Sequence, residues 1–225
     1  MLLLHYTGME SADGALSWLC NTDSEVSAHY FVFEDGRIIQ MVPEGMRAWH
    51  AGKSIWAGDR DINSCSIGIE IANPGHACGS PEFPDLQMDA VVDLCRDIVS
   101  RHNIPASRVL AHSDVAPGRK QDPGEKFDWQ RLAAAGIGLW PDIKKSLGEG
   151  KLPQTFWDTS QAVLDMQEKL ARFGYEIAAT GALDRQTKMI VEAFHLHFRP
   201  KRTDQPFDAA SMAMLDLLLA DICAI

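Results

Sequence analysis

A strand, a long helix and a second strand follow one another in the middle of the chain, and this order most constrains the fold. Residues 66–72, SIGIEIA, alternate as a β-strand does, with isoleucines on one side and Glu70 on the other. Between residues 85 and 102 the apolar positions recur at helical spacing, and Asn103 ends the pattern. RVLA at residues 108–111 indicates another strand. Because strands and helices are mixed, the sequence predicts an α/β fold with a mixed central β-sheet flanked by helices.

The first third of the chain adds elements of both kinds. LLLH at residues 2–5 is strand-like, and SADGALSWLCN at residues 11–21 has helical spacing. Residues 28–43, AHYFVFEDGRIIQMVP, contain Asp35-Gly36 between two β-rich runs. Such a dipeptide in that position is a strong local signal for a hairpin. We therefore expect a hairpin before the strand at residues 66–72.

The last third of the chain has a different character. The residues around 148–155 have glycine, proline and no periodicity, which is typical of a linker. Three helical patterns follow, each preceded by a residue suited to cap a helix: Thr159 or Ser160, Asp184 and Asp208. The sequence thus predicts a first domain at 1–147 and a small C-terminal three-helix domain at 156–225, near the lower size limit for a self-sufficient core.

Residues 111–124, AHSDVAPGRKQDPG, follow a predicted strand and are strongly polar. Pro117-Gly118 and Pro123-Gly124 are turn formers, so we expect a loop and not a core element. This loop carries His112 at one end and brings Asp122 back ten positions later.

His5, His112 and Asp122 are candidate metal ligands, since each stands at or beside the end of a predicted strand. A catalytic zinc site takes about three ligands of these types and leaves one position for water. The spacing is less compact than that of a single-helix zinc motif, and the chain has 8 histidines. For each histidine the alternative is an ordinary core or surface residue hydrogen-bonded to the backbone.

Glu70 and Lys120 are candidate catalytic residues. A carboxylate on the polar side of an apolar strand fits a general acid or base facing a cleft, and the alternative is a solvent-facing strand position. Lys120 lies two positions before the candidate ligand Asp122, and it fits a cation placed where an oxyanion develops. The alternative is a solvated charge in a loop.

Composition excludes several classes of partner. The net charge of -10 disfavours a nucleic-acid or anionic-membrane partner. The sequence has no apolar run of about 18 residues, so we expect no membrane span. The 5 cysteines are scattered and contain no CxxC, which favours reduced thiols and a cytoplasmic setting. The chain opens on a strand-like segment with no signal peptide, and an export segment upstream of this numbering is the alternative.

Four ordered segments together resemble the type 2 N-acetylmuramoyl-L-alanine amidases: LLLHYT, VSAHYFVFEDGRIIQMVPEGMRAWHAG, NSCSIGIEIANPG and VLAHSDVAPGRKQDPG. These are zinc enzymes related to the phage amidases and the peptidoglycan recognition proteins. The resemblance covers residues 1 to about 140 and implies the amidase type 2 fold. It implies that His5, His112 and Asp122 bind zinc, and that Glu70 and Lys120 act in catalysis.

The implied reaction is hydrolysis of the amide between the lactyl group of N-acetylmuramic acid, or its 1,6-anhydro form, and L-alanine of the stem peptide. The implied partner is therefore peptidoglycan or a muropeptide. The segment AWHAG resembles a cleft segment of the family, which makes Trp49 and His50 candidate substrate contacts. Arg119 is a third candidate, since arginine suits bidentate binding of a stem-peptide carboxylate. For these three residues a purely structural role is the alternative.

The C-terminal part resembles a peptidoglycan-binding domain of the three-helix type. The matching positions are Gln167, Leu170, Gly174-Tyr175, Gly181, Leu183-Asp184, Thr187 and Phe194. The sequence departs from the family where an Asp-Gly pair is usual, because Thr180 precedes Gly181 here. A helical unit that only buttresses the first domain is the alternative.

Two classes of function remain at this point. A zinc amidase requires the complete set His5, His112, Asp122 and Glu70, which this sequence has. A non-catalytic peptidoglycan-recognition protein shares the fold but usually lacks a zinc ligand, and a general zinc peptidase is a more distant third. A cytoplasmic enzyme would cut soluble anhydro-muropeptides during wall recycling, whereas a periplasmic or other envelope enzyme would cut intact glycan chains. The free cysteines lead us to expect the cytoplasm.

Overall fold

A five-stranded sheet forms the centre of the computed structural model, which describes residues 1–143 and 159–223. Its spatial order is β3-β2-β4-β1-β5. The three inner contacts, β2 with β4, β4 with β1 and β1 with β5, are parallel, and β3 is antiparallel at one edge. The strands are β1 Leu2–Tyr6, β2 Tyr30–Val32, β3 Ile38–Gln40, β4 Ile67–Ile71 and β5 Val109–Ala111.

Helices flank this sheet and fill the C-terminal part of the described chain. They are α1 Ala12–Leu19, α2 Asp85–His102, α3 His112–Val115, α4 Trp129–Ala134, α5 Ser160–Phe173, α6 Arg185–Phe198 and α7 Ala209–Cys223. The mixed sheet with flanking helices confirms the predicted fold class. None of the described helices is long and apolar enough to cross a membrane.

Local signals that the sequence contained are confirmed in α2 and in the hairpin. The helix spans Asp85–His102, and Asn103 caps its C-terminus with a left-handed φ of 49°. Asparagine tolerates this conformation well, and so it stops the helix at the expected place. The β2–β3 hairpin turns at residues 33–37, where the N–H of Gly36 donates to the carbonyl of Phe33.

The register of the sheet places polar side chains at one end of it. β1 and β4 are parallel with His5 opposite Glu70, and His112 follows the last residue of β5. The amino-terminal part of β1, Leu2 to Leu4, is buried in the core. The carboxyl ends of parallel strands lie at the same edge of a sheet. The polar residues at the ends of β1, β4 and β5 therefore lie close together at that edge, while the apolar residues before them are buried in the core.

Three helices, α5 to α7, occupy the C-terminal part, as predicted. Thr159 accepts a hydrogen bond from the N–H of Ala162, and Asp184 accepts one from the N–H of Thr187, so both are N-caps. These helices share one hydrophobic cluster with the sheet and its loops, which includes Leu3, Trp56 and Leu110. The predicted linker at about 148–155 and the boundaries at 147 and 156 lie outside the described residues, and the division into two domains stays a prediction.

The segment at residues 111–124 differs from the loop that the sequence predicted. Its first part forms the short helix α3, and residues 112–116 are buried. The physical reason is that the carboxylate of Asp114 has buried partners on Tyr175 and His197, far along the chain. A polar segment enters the core when such partners satisfy its hydrogen bonds.

Candidate metal centre and active site

Three predicted ligands converge at the carboxyl end of the sheet. Nδ1 of His5, Nδ1 of His112 and Oδ2 of Asp122 lie 2.9 Å from one another in every pair. All three side chains are buried, and they form the one such cluster of metal-binding side chains in residues 1–143 and 159–223. Each comes from a different piece of the chain: β1, the start of α3, and the loop after α3.

The far side of each imidazole is held by a further hydrogen bond. Nε2–H of His112 donates to the carbonyl of Ala51 at 3.0 Å, and Nε2 of His5 lies 3.0 Å from Nδ1 of His50. A proton on Nε2 leaves the Nδ1 lone pair of each ring directed into the site. This is the usual way in which proteins fix the tautomer and orientation of a metal-binding histidine.

The electrostatics of the cluster also suit a cation. Burial and the neighbouring His112 lower the pKa of His5 to about 4, so its ring is neutral at physiological pH. Burial opposes ionisation of Asp122, but interactions with His112 and His5 outweigh it and hold the pKa of this carboxyl well below its usual range. Two imidazole nitrogens and one carboxylate oxygen are a donor set that zinc prefers, with room in its coordination for water.

Glu70 stands beside this cluster on β4, opposite His5. Its side chain is partly buried, and Oε2 is shielded from solvent without a hydrogen-bond partner among the described residues. Burial, together with the nearby Asp122 carboxylate, raises the pKa of Glu70 well above its usual range. A carboxyl group in this state is suited to proton transfer near neutral pH.

A cleft of about 590 Å³ opens over the cluster. Glu70, Lys120 and Trp49 line it together with His112 and Asp122. Burial is the main cause of the pKa shifts of His5 and Glu70, and the positive charge of Lys120 makes a smaller contribution that opposes protonation of both. The indole of Trp49 is 52% exposed and therefore free to contact a ligand.

His50 and Arg119, predicted as substrate contacts, also line the cleft but have partners within the protein. His50 is buried behind His5. The guanidinium of Arg119 donates to the carbonyls of Ala51 and Lys53, at 2.7 and 3.1 Å. These bonds hold the loop that also positions His112. The substrate contacts of both residues remain predictions.

Part of the cleft wall comes from residues to which the sequence assigned no role. Trp18 of α1 and Met189 and Glu192 of α6 face the same space. Oε1 of Glu192 accepts a hydrogen bond from Nε2 of Gln121, the residue before the predicted ligand Asp122. The helical pattern of α6 was visible in the sequence, but no local signal indicates that one face of it borders a cleft.

Residues 1–125 match the family described as N-acetylmuramoyl-L-alanine amidase. The chain belongs to this amidase family. It is 38% identical to N-acetylmuramoyl-L-alanine amidase AmiD of Escherichia coli (strain K12) over an alignment of 233 positions, gaps included, which covers 97% of this chain and 82% of AmiD. It is 38% identical to 1,6-anhydro-N-acetylmuramyl-L-alanine amidase AmpD of Enterobacter cloacae over 109 residues, which cover 48% of this chain and 56% of AmpD.

Two solved structures of the amidase family resemble almost the whole chain. The complex of AmiD from E. coli with the substrate anhydro-N-acetylmuramic acid-L-Ala-D-gamma-Glu-L-Lys has a TM-score of 0.85 at 37% identity, covering 98% of this chain and 88% of that one. AmpDh3 from Pseudomonas aeruginosa, in complex with anhydromuramic pentapeptide, has a TM-score of 0.82 at 32% identity, covering 99% and 91%. The shared architecture therefore includes the C-terminal helices.

Proposed function

We propose that this amidase uses zinc to hydrolyse the amide between the lactyl group of N-acetylmuramic acid, or its 1,6-anhydro form, and L-alanine of the stem peptide. The observation that carries the proposal is the convergence of His5, His112 and Asp122 on one point of a cleft that also holds Glu70 and Lys120. The anhydromuramyl peptides bound to AmiD and AmpDh3 support the 1,6-anhydro substrate.

The metal would be held by Nδ1 of His5, Nδ1 of His112 and Oδ2 of Asp122. Zinc bound there supplies a Lewis acid that polarises the scissile carbonyl and lowers the pKa of a bound water to about 7. The chain itself fixes the ligand geometry, because the carbonyl of Ala51 and the ring of His50 hold the two imidazoles from behind.

Glu70 is the proposed general base and acid. Its Oε2 has no competing hydrogen bond among the described residues, and it lies at the same sheet edge as the metal ligands. In its ionised form it takes a proton from the attacking water and then returns that proton to the leaving amine of L-alanine. The raised pKa favours the uptake of this proton by the carboxylate.

Lys120 is the proposed oxyanion stabiliser. When water adds to the carbonyl, negative charge develops on its oxygen in a partly buried cleft, where a nearby ammonium group is worth far more than in water. Lys120 lines this cleft and lies two positions before Asp122, in the same segment as the proposed ligands His112 and Asp122. Trp49 offers an exposed aromatic surface for the sugar or peptide at the cleft mouth.

The size of the substrate and the compartment in which the enzyme cuts it stay predictions. The described cysteines are all free, and free thiols favour the cytoplasm, where soluble anhydro-muropeptides would be the substrate. Three helices that resemble a peptidoglycan-binding domain favour the envelope, where intact sacculi would be the substrate. We retain the cytoplasmic prediction and test it through the size of the substrate that is cut.

Mass spectrometry of a digest tests the function. The zinc-loaded protein is incubated in parallel with soluble 1,6-anhydro-muropeptides and with purified sacculi, beside a chelator-treated sample to which zinc is then restored. We expect free stem peptide from the anhydro-muropeptides, loss of this product on chelation and recovery with zinc. Release from sacculi as well would identify a wall-remodelling enzyme. Zinc binding without release from either substrate would contradict the proposal and favour a recognition protein.

A further inference from the structure

Asp114 is a buried carboxylate two residues after the ligand His112, and it joins two distant parts of the chain. Oδ1 accepts a hydrogen bond from the hydroxyl of Tyr175 at 2.6 Å. Oδ2 lies 2.6 Å from Nδ1 of His197 and accepts the backbone N–H of Ala111 at 2.9 Å. The two side-chain partners are 61 and 83 residues away in sequence and belong to the C-terminal helical part.

These three bonds are energetically important because Asp114 is only 1% exposed. A carboxyl group away from water is costly unless hydrogen bonds compensate its lost hydration. Removing one partner would leave a buried oxygen atom of Asp114 without its hydrogen bond. The position of Asp114 therefore depends on Tyr175 and His197.

Asp114 in turn fixes the junction that carries a metal ligand. The N–H that it accepts belongs to Ala111, the last residue of β5, and His112 begins α3 directly afterwards. A second bond closes the same junction, since the N–H of Ser113 donates to the carbonyl of Asp122 at 3.0 Å. A shift of Asp114 would therefore change the position of the His112 ring relative to the carboxylate of Asp122.

The two partners of Asp114 are themselves tightly held. The ring of His197 stacks on Trp129, with centroids 3.7 Å apart, and on Phe198, at 3.9 Å. Tyr175 packs edge-on against Trp56 at 4.9 Å. These contacts restrict the movement of the His197 and Tyr175 side chains. The C-terminal part of the chain therefore holds Asp114 rigidly in place.

We propose that Tyr175 and His197 are positioning residues of the zinc site: they hold Asp114, which fixes the β5–α3 junction and so directs Nδ1 of His112 at the metal. This inference rests on the proposed zinc function. It assigns the C-terminal helices a part in metal binding that is independent of any contact with glycan.

The test compares zinc affinities of full-length variants. Tyr175→Phe removes one hydroxyl, His197→Leu removes the Nδ1 donor, and His197→Asn keeps an N–H donor close to the Nδ1 position. His195→Leu is the matched control, since His195 is equally buried in the same helix but bonds Ser211, at 2.8 Å, instead of Asp114. The dissociation constant of zinc is measured on each folded apoprotein by competition with a chromophoric chelator.

We expect Tyr175→Phe and His197→Leu to weaken zinc binding about 10-fold or more, as loss of a supporting partner commonly does. We expect His197→Asn to stay within about 3-fold of wild type, and His195→Leu to lose stability but not zinc affinity. The visible spectrum of the cobalt-substituted protein should change in the first two variants only, because it reports ligand geometry.

The outcomes separate this inference from the proposed function. A wild-type protein that does not bind zinc would overturn both. Wild-type binding and hydrolysis, with Tyr175→Phe and His197→Leu no weaker in zinc affinity than His195→Leu, would overturn the positioning role alone. Should His197→Leu fail to fold, Tyr175→Phe decides, since it removes a single oxygen atom.

Discussion

A β-carbon on Gly68 would lie 2.4 Å from Cγ of His50, so the imidazole rests directly on the backbone of β4. In this position Nδ1 of His50 faces Nε2 of His5 at 3.0 Å, and Nε2 of His50 lies 3.3 Å from the hydroxyl of Ser66. The absence of a side chain at residue 68 thus leaves the space in which His50 is buried, within hydrogen-bond distance of the proposed ligand His5.

Gly68→Ala is expected to weaken zinc binding. The added methyl group must displace His50, and His5 then loses the partner that orients its ring, at a cost of about 10-fold in metal affinity. Chelator competition measures the change. Gly45→Ala is the matched control, because a β-carbon there meets no atom within 4 Å in the described part of the chain. Equal affinities of the two variants would refute the supporting role of His50.

Asp122→Ala is expected to abolish stoichiometric zinc binding. It removes the carboxylate ligand and leaves only two imidazoles, which by themselves hold a divalent cation poorly. Metal content after dialysis, measured by plasma mass spectrometry, checks this. Asp128→Ala serves as control: it removes the side chain that caps α4 and should cost about 1 kcal/mol of stability without loss of zinc. A full complement of zinc in Asp122→Ala would contradict the ligand assignment.

Glu70→Gln is expected to keep zinc and lose turnover. The amide preserves the shape of the side chain but cannot accept and return the proton, so kcat should fall about 10²- to 10⁴-fold. Initial rates on a defined anhydro-muropeptide, with zinc content measured in parallel, give the answer. The exposed Glu82, paired with Lys126 at the surface, provides the control Glu82→Gln, which should retain wild-type rates. A Glu70→Gln enzyme with near-normal kcat would remove Glu70 from the mechanism.

The stability of the protein is expected to fall below about pH 6.5, in part because of His195. Burial and the charge of Arg199 lower its pKa to about 4, against an ordinary value of 6.5. Above pH 6.5 the ring is neutral in both states. Between the two values only the unfolded chain takes up the proton, so the free energy of unfolding decreases as the pH falls, by at most about 3 kcal/mol.

The variant His195→Gln isolates this contribution, since glutamine can keep the bond to Ser211 without titrating. Urea unfolding of both apoproteins at about pH 7.5 and about pH 5 gives the comparison. Wild type should lose roughly 2 kcal/mol more than the variant between these conditions. Identical losses in both proteins would show that His195 does not titrate as its surroundings indicate.

Local patterns in the sequence predicted the framework of the fold well. The periodicity that ends at Asn103 gave the bounds of α2, and Asp35-Gly36 located the hairpin, because capping and turn formation depend on neighbours within a few residues. Strand ends and ordered motifs led us to predict His5, His112 and Asp122 as ligands. The structure brings these three side chains together, and their binding of a metal stays a prediction.

What the sequence did not reveal depends on distant contacts. Asp114 appeared to be one more polar residue of a surface loop, since nothing near it indicates the hydroxyl of Tyr175 or the ring of His197. His197 itself lies in no recognisable motif. Glu192 belongs to α6, whose sequence pattern indicates which face is apolar but not which part of the protein each face contacts. Such contacts depend on how the helices are arranged around the sheet, and this arrangement cannot be predicted from local patterns in a single sequence.

The distance in sequence between Asp114 and its partners also sets the order in which the enzyme can be completed during translation. The segment with both imidazole ligands and Asp122 is made first, whereas Tyr175 and His197 follow 61 and 83 residues after Asp114. At about 5–20 residues per second, the ribosome needs about 4 to 17 s to reach His197. Under the proposed positioning role, a nascent chain therefore binds zinc less tightly until both Tyr175 and His197 have been synthesised.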